Sequence, residues 1–105
     1  MEIQFVYITT GSVEEAQKIG AALVQERLAA CVNIIDGMTS IFQWEGKIES
    51  AKETILIAKT EAGRFEELTQ RVTELHSYDL PCIVALPVQQ GYPPFLEWIS
   101  DSVKV

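Results

Sequence analysis

Residues 31–60 read CVNIIDGMTSIFQWEGKIESAKETILIAKT. Both halves are rich in β-branched and aromatic residues, and they meet at Glu45-Gly46, a pair suited to a tight turn. The first half, Cys31 to Trp44, is interrupted by Asp36-Gly37, which could itself be a hairpin turn. With a second turn following so soon, a bulge or bend inside one long strand fits better. The stretch therefore predicts a single long hairpin. Arms of about 14 residues at ~3.3 Å per residue reach roughly 45 Å, longer than a small sheet requires.

Working outward, Ile3 to Thr10 (IQFVYITT) has apolar residues on both faces and reads as an interior strand. Gly11 ends it. Ser12-Val13-Glu14-Glu15 forms a capping box, in which Ser12 accepts from the Glu15 amide and Glu15 reaches back. Ala16, Ile19, Leu23, Val24 and Leu28 then give a helical period through about Ala29. Beyond the hairpin, Phe65, Leu68, Val72 and Leu75 predict an amphipathic helix ending near His76. Cys82 to Pro87 reads as a short strand whose proline belongs at a sheet edge. Pro93 or Pro94 opens a terminal helix that buries Phe95, Leu96, Trp98 and Ile99.

This order predicts an α+β chain with the ferredoxin-like βαββαβ arrangement, an antiparallel sheet, a long β2-β3 hairpin and a C-terminal helix. The 105 residues suit one domain, 1–105. A hydrophobic content of 48% with 22% charged residues excludes intrinsic disorder. The net charge of −7, with only 8 scattered basic residues, argues against nucleic acid. No apolar run approaches the ~20 residues of a membrane span. The start, Met1-Glu2-Ile3-Gln4-Phe5, enters a strand pattern at once with no targeting signature, so a cytoplasmic location is expected.

Two helices cover only one face of such a sheet, yet the first and third strands are apolar on both. Ile41, Phe42 and Trp44 add apolar surface near the hairpin tip. A homo-oligomer that packs sheet faces and exchanges hairpin edges would bury both surfaces, with these three residues at the interface. The alternative is a monomer whose terminal helix folds back over the second face.

Chemistry-bearing residues are sparse. Cys31 and Cys82 fall on strands at opposite sheet edges, too far apart to bridge, and read as small buried hydrophobes. His76 suits the C-terminal end of a helix. Its functional alternative is a metal ligand beside Asp79, completed by residues such as Glu45 or Glu53 across a subunit boundary. Asn33, Glu53, Lys59 and Tyr78 are candidate lining for a cleft between subunits that takes a small anionic metabolite, with Lys59 its single positive charge. Solvated rim chemistry explains those four equally well. Trp44 reads as an interface anchor and Trp98 as core. No phosphate loop, dinucleotide fingerprint, C-x-x-C, zinc-protease motif or nucleophile elbow is present, so no enzyme is expected.

Several stretches together resemble the CutA family of divalent-cation tolerance proteins. They are Glu26-Arg27-Leu28-Ala29-Ala30-Cys31-Val32-Asn33-Ile34, Ser40-Ile41-Phe42-Gln43-Trp44-Glu45-Gly46-Lys47-Ile48, Lys59-Thr60, His76-Ser77-Tyr78-Asp79-Leu80-Pro81 and Leu96-Glu97-Trp98-Ile99. The resemblance implies a tight homotrimer similar to the PII signalling proteins, with clefts between subunits. It also implies a part in tolerance to copper and other divalent cations, with Cu(II) or another divalent cation bound weakly and none held tightly. The family's H-P-Y histidine corresponds to His76, and Ser77 stands where proline is usual. Ile8, Thr9 and Thr10 stand where some members carry a cysteine. Three functions follow as expectations: weak metal binding at an intersubunit site, a PII-like module binding a small metabolite, and a trimeric scaffold for partner proteins.

Overall fold

In the computed structural model, which describes residues 1–105, the chain runs β1 (Ile3–Thr10), α1 (Val13–Gln25), β2 (Cys31–Trp44), β3 (Lys47–Glu61), α2 (Phe65–Leu75), β4 (Ile83–Pro87) and α3 (Pro93–Ser102). The sheet order is β2-β3-β1-β4 with every pairing antiparallel, as the ferredoxin-like reading expects. β2 and β4 are its edges, and Pro87 lies at the end of the β4 edge. The last strand starts at Ile83, one residue later than the sequence suggested.

α1 and α2 cover one sheet face. Val6, Ile8, Leu56 and Ala58 meet Ala16, Ile19, Leu23, Leu68 and Val72 there to form the main core. Gly20 lets α1 approach closely. A Cβ at this position would lie 2.9 Å from Val32 Cγ2 and 3.3 Å from Leu56 Cδ1.

α1 ends at Gln25, short of the expected Ala29. Arg27 takes a left-handed φ of 59°. Its amide donates to Val24 O at 3.2 Å, and the Leu28 amide donates to Leu23 O at 2.9 Å. These two bonds make a Schellman cap with arginine where glycine is usual. Leu28 and Ala29 keep the apolar period because they still pack into the core.

In the hairpin, Ile35 pairs with Ile55 and Met38 with Glu53. Asp36 and Gly37 therefore share Thr54 as their opposite number, which makes the predicted bulge. Gly37 adopts φ 82°, and Asp36 Oδ1 accepts the Thr54 hydroxyl at 2.9 Å. The extra residue resets the strand's alternation. Met38, Ser40, Phe42 and Trp44 consequently share the face of Asn33 and Ile35, and the Tyr7 hydroxyl reaches Met38 Sδ at 3.4 Å on that side. Glu45 (φ 51°) and Gly46 (φ 79°) close the tip in a type I′ turn. The ribbon sets the molecule's longest dimension, 44 Å, and residues 41–50 are all exposed.

The second sheet face is covered at one corner only. Ile99 and Val103 of α3 pack there on Ile3 and Ala30. The fold-back alternative is thus met in part, and Ile35, Val84 and Leu86 stay about half exposed. Leu96 packs inward beside Ile99, but Phe95 and Trp98 stack at 5.6 Å and remain largely open. Trp98 is therefore not core, because it lies on the side of α3 that the sheet does not reach. Cys31 and Cys82 are unbonded and partly exposed rather than buried, since each sits at a sheet edge.

Candidate functional site

The end of β1, the start of α1 and the turn after α2 converge through hydrogen bonds. Ser12 Oγ accepts the Glu15 amide at 3.1 Å, the expected cap. The Glu15 carboxylate reaches further back than a capping box requires. Its Oε1 accepts from the Gly11 amide at 2.9 Å, and its Oε2 accepts from the Ser77 amide at 2.8 Å. Burial pushes the Glu15 pKa up, but the Gly11 amide, Ser77 and nearby His76 outweigh it and hold the carboxyl below its ordinary value.

The His76 side chain is fully buried. Its Nε2 lies 2.7 Å from Thr9 O, so this nitrogen carries the proton and donates. Its Nδ1 accepts the Tyr78 amide at 3.1 Å. Both ring nitrogens are occupied and no lone pair remains for a metal. Within one copy, Thr9 and Tyr78 thus engage the two ring nitrogens through which His76 would hold a cation. Asp79 is exposed beside this turn, and nowhere do three His, Cys, Asp or Glu side chains gather around a possible ion position. The donor set of one copy does not fit a resident metal.

The Tyr78 hydroxyl donates to Glu53 Oε2 at 2.9 Å, and its ring leans on His76 at 4.7 Å. Burial first, and then the Glu53 carboxylate, push the Tyr78 pKa up to about 12.

Tyr78 forms one wall of a groove of about 780 Å³ between this turn and the hairpin face that carries Phe42 and Trp44. Glu49, Glu53 and Asp79 supply its charge, and no lysine or arginine lines it. Cys82 also borders it. Burial, with help from Glu53, pushes that thiol's pKa up and keeps it a weak nucleophile.

Of the four cleft residues expected from sequence, only Glu53 and Tyr78 come together. Lys59 lies six residues further along β3, roughly 20 Å at ~3.3 Å per residue. Its ammonium sits over the rings of Phe5 (5.4 Å) and Phe95 (5.6 Å). Asn33 pairs with Ile57, remote from the groove. With Lys59 absent, the lining opposes an anionic ligand. Sequence reasoning missed Phe42, Trp44 and Glu49 as groove walls. The signal was the bulge, because one inserted residue moves Phe42 and Trp44 onto the open face of the sheet.

A family model described as CutA1 divalent ion tolerance protein matches residues 4–102. The chain belongs to this family. Among its CutA relatives, the divalent-cation tolerance protein CutA of Archaeoglobus fulgidus is 47% identical over 100 residues, covering 95% of this chain and 97% of the relative. The protein of the same name from Thermus thermophilus is 46% identical, covering 94% and 96%. A chloroplastic CutA from Arabidopsis thaliana is 43% identical, and the match spans 54% of that longer protein. Among solved structures, the Archaeoglobus fulgidus CutA, described as periplasmic, superposes with a TM-score of 0.94 at 46% identity, covering 97% of this chain and 99% of that one. CutA from Xylella fastidiosa gives 0.96 at 36% identity, covering 99% and 100%. The CutA family is one of divalent-cation tolerance, and no helix of this member is long and apolar enough to cross a membrane.

Proposed function

We propose that the protein serves tolerance to divalent cations, copper included, as a cytoplasmic homotrimer that is not an enzyme. One observation carries the trimer: the hairpin is apolar on both sides. Phe42 and Trp44 face one way, while Ile41 and Ile48, each 73% exposed, face the other. A dimer closed through one side leaves the other wet, at about 25 cal/mol per apolar Å². A ring of three is the smallest closed assembly that gives every hairpin two distinct neighbours. The half-open sheet face and the unpaired edges of β2 and β4 supply the remaining contact surface. Two free thiols suit a reducing compartment.

Cation binding is weak in this reading, because one copy offers no complete donor set. Asp79 is the exposed donor on this side of the junction, and a neighbouring copy completes the shell. Sedimentation of dilute protein tests the assembly. Three times the chain mass is expected, and a well-folded single copy overturns the proposal. Calorimetric titration with Cu(II) tests the site. Asp79→Asn should weaken the isotherm, and an unchanged isotherm rejects Asp79.

The groove beside Tyr78 favours a second reading, a small-metabolite cleft at the junction between copies. Its volume falls in the range of ordinary ligand pockets, roughly 300–1,000 Å³.

A further inference from the structure

We infer that the groove between the hairpin and the turn after α2 is half of a composite site, completed by α3 of a second copy. The stacked Phe95 and Trp98 of that copy enter the groove, and its Lys59 answers the carboxylates there. The inference rests on the trimer and names the two surfaces that meet in it.

Each surface is half packed within one chain. Phe42, Trp44, Phe95 and Trp98 are all 39–48% exposed, so every ring has one packed side and one open side. On α3 the helical period puts Phe95, Trp98 and Ser102 on one stripe beside the buried Ile99, while Glu97 and Asp101 fall off it. The two rings stack at 5.6 Å with planes 23° apart and make a stiff aromatic wedge. Large rings of this kind anchor protein interfaces.

Charge selects the pairing. The groove holds Glu49, Glu53 and Asp79 and no base. Two such grooves laid together would set like charges against each other. The wedge instead brings a cation, because the Lys59 ammonium stands 5.6 Å from the Phe95 centroid. Within one chain Lys59 is roughly 20 Å from Glu53 at ~3.3 Å per residue, so its own groove lies out of reach. Wedge and groove are different patches at opposite ends of the sheet, and the contact is head to tail. Each copy gives one wedge and receives one, which closes into a ring. Lys59, held away from Glu53 and Tyr78 in one chain, joins them across the boundary between copies.

The test uses the full chain with Cys31→Ser and Cys82→Ser. Ser40→Cys then marks the groove and Ser102→Cys marks the wedge. A short bismaleimide is added to native protein, and the chains are separated by mass after denaturation. The double variant should give two-chain and three-chain products, and each single variant should give none. Sedimentation of the same samples reports the trimer separately. A trimer whose double variant gives no product overturns the docking and leaves the trimer reading standing. Product from a single variant at the yield of the double does the same. A well-folded single copy overturns both. Trp98→Ala, its fold checked by circular dichroism, should weaken assembly about thirtyfold, the loss of one anchor ring. Unchanged assembly overturns the wedge. Lys59→Glu should weaken assembly too, and Glu49→Lys in the same chain should restore part of the loss. No restoration removes Lys59 from the contact.

Discussion

Glu15 and Ser77 lie 62 residues apart in sequence, yet the carboxylate of one accepts the backbone amide of the other at 2.8 Å. With the Gly11 amide on its second oxygen, Glu15 ties the start of α1 to the turn that presents Tyr78. The groove wall is therefore held from behind by a residue that does not line it.

Glu15→Gln should destabilise the protein by about 1 kcal/mol at neutral pH, since both amides stand near the surface where water replaces part of the loss. The Glu15 carboxyl is held below its ordinary value of 4.5. Its contribution is therefore complete above that pH and is lost as pH falls through the depressed folded value. Urea titrations across the acid range should show a shallower decline in the variant. Parallel curves would remove Glu15 from this role.

Tyr78→Phe frees Glu53 and should cost about 1 kcal/mol. Burial and the Glu53 carboxylate push the Tyr78 pKa up from the ordinary 10 to about 12. A raised folded value means its stabilisation is full below pH 10 and disappears as pH climbs through about 12. Phenolate absorbance should show a late alkaline phase that the variant lacks. A phase surviving the substitution would refute the assignment.

Gly20→Ala pits two effects against each other. Removing a helical glycine gains about 0.5–1 kcal/mol. The new methyl would stand 2.9 Å from a Val32 methyl, and forcing extra volume into a tight core costs about 1–3 kcal/mol. Val32 is β-branched and yields little. Net destabilisation is expected in thermal melts, and a rise in Tm would show that α1 can lift off the sheet.

Arg27→Gly should stabilise, because left-handed backbone costs a non-glycine residue roughly 1–2 kcal/mol. The lost contact, Arg27 Nη1 to Lys104 O at 3.2 Å, is exposed and worth less. A gain of about 0.5–1 kcal/mol in denaturant midpoint analysis is the expected net. A loss would mean the surface contact outweighs the strain.

What the sequence revealed was local. Glu45-Gly46 announces its turn, Ser12 and Glu15 announce a helix start, and Phe65 to Leu75 repeats at helical spacing. What it hid was set by distant partners. The buried state of His76 depends on Thr9 O, a strand away in the fold. Lys59 left the expected cleft because the rings of Phe5 and Phe95 hold it elsewhere. Leu28 and Ala29 kept a helical period after the helix had stopped, because core packing asks for apolar residues whatever the backbone does. The groove was legible only through parity, once the bulge at Asp36-Gly37 is allowed to shift every later side chain.

The bulge also buffers the length of the protruding ribbon. Deleting Gly37 would leave Asp36 alone opposite Thr54, while Met38 to Trp44 would keep their present partners and their present side of the sheet. A codon can thus be lost from this arm without changing which side chains it shows to its surroundings.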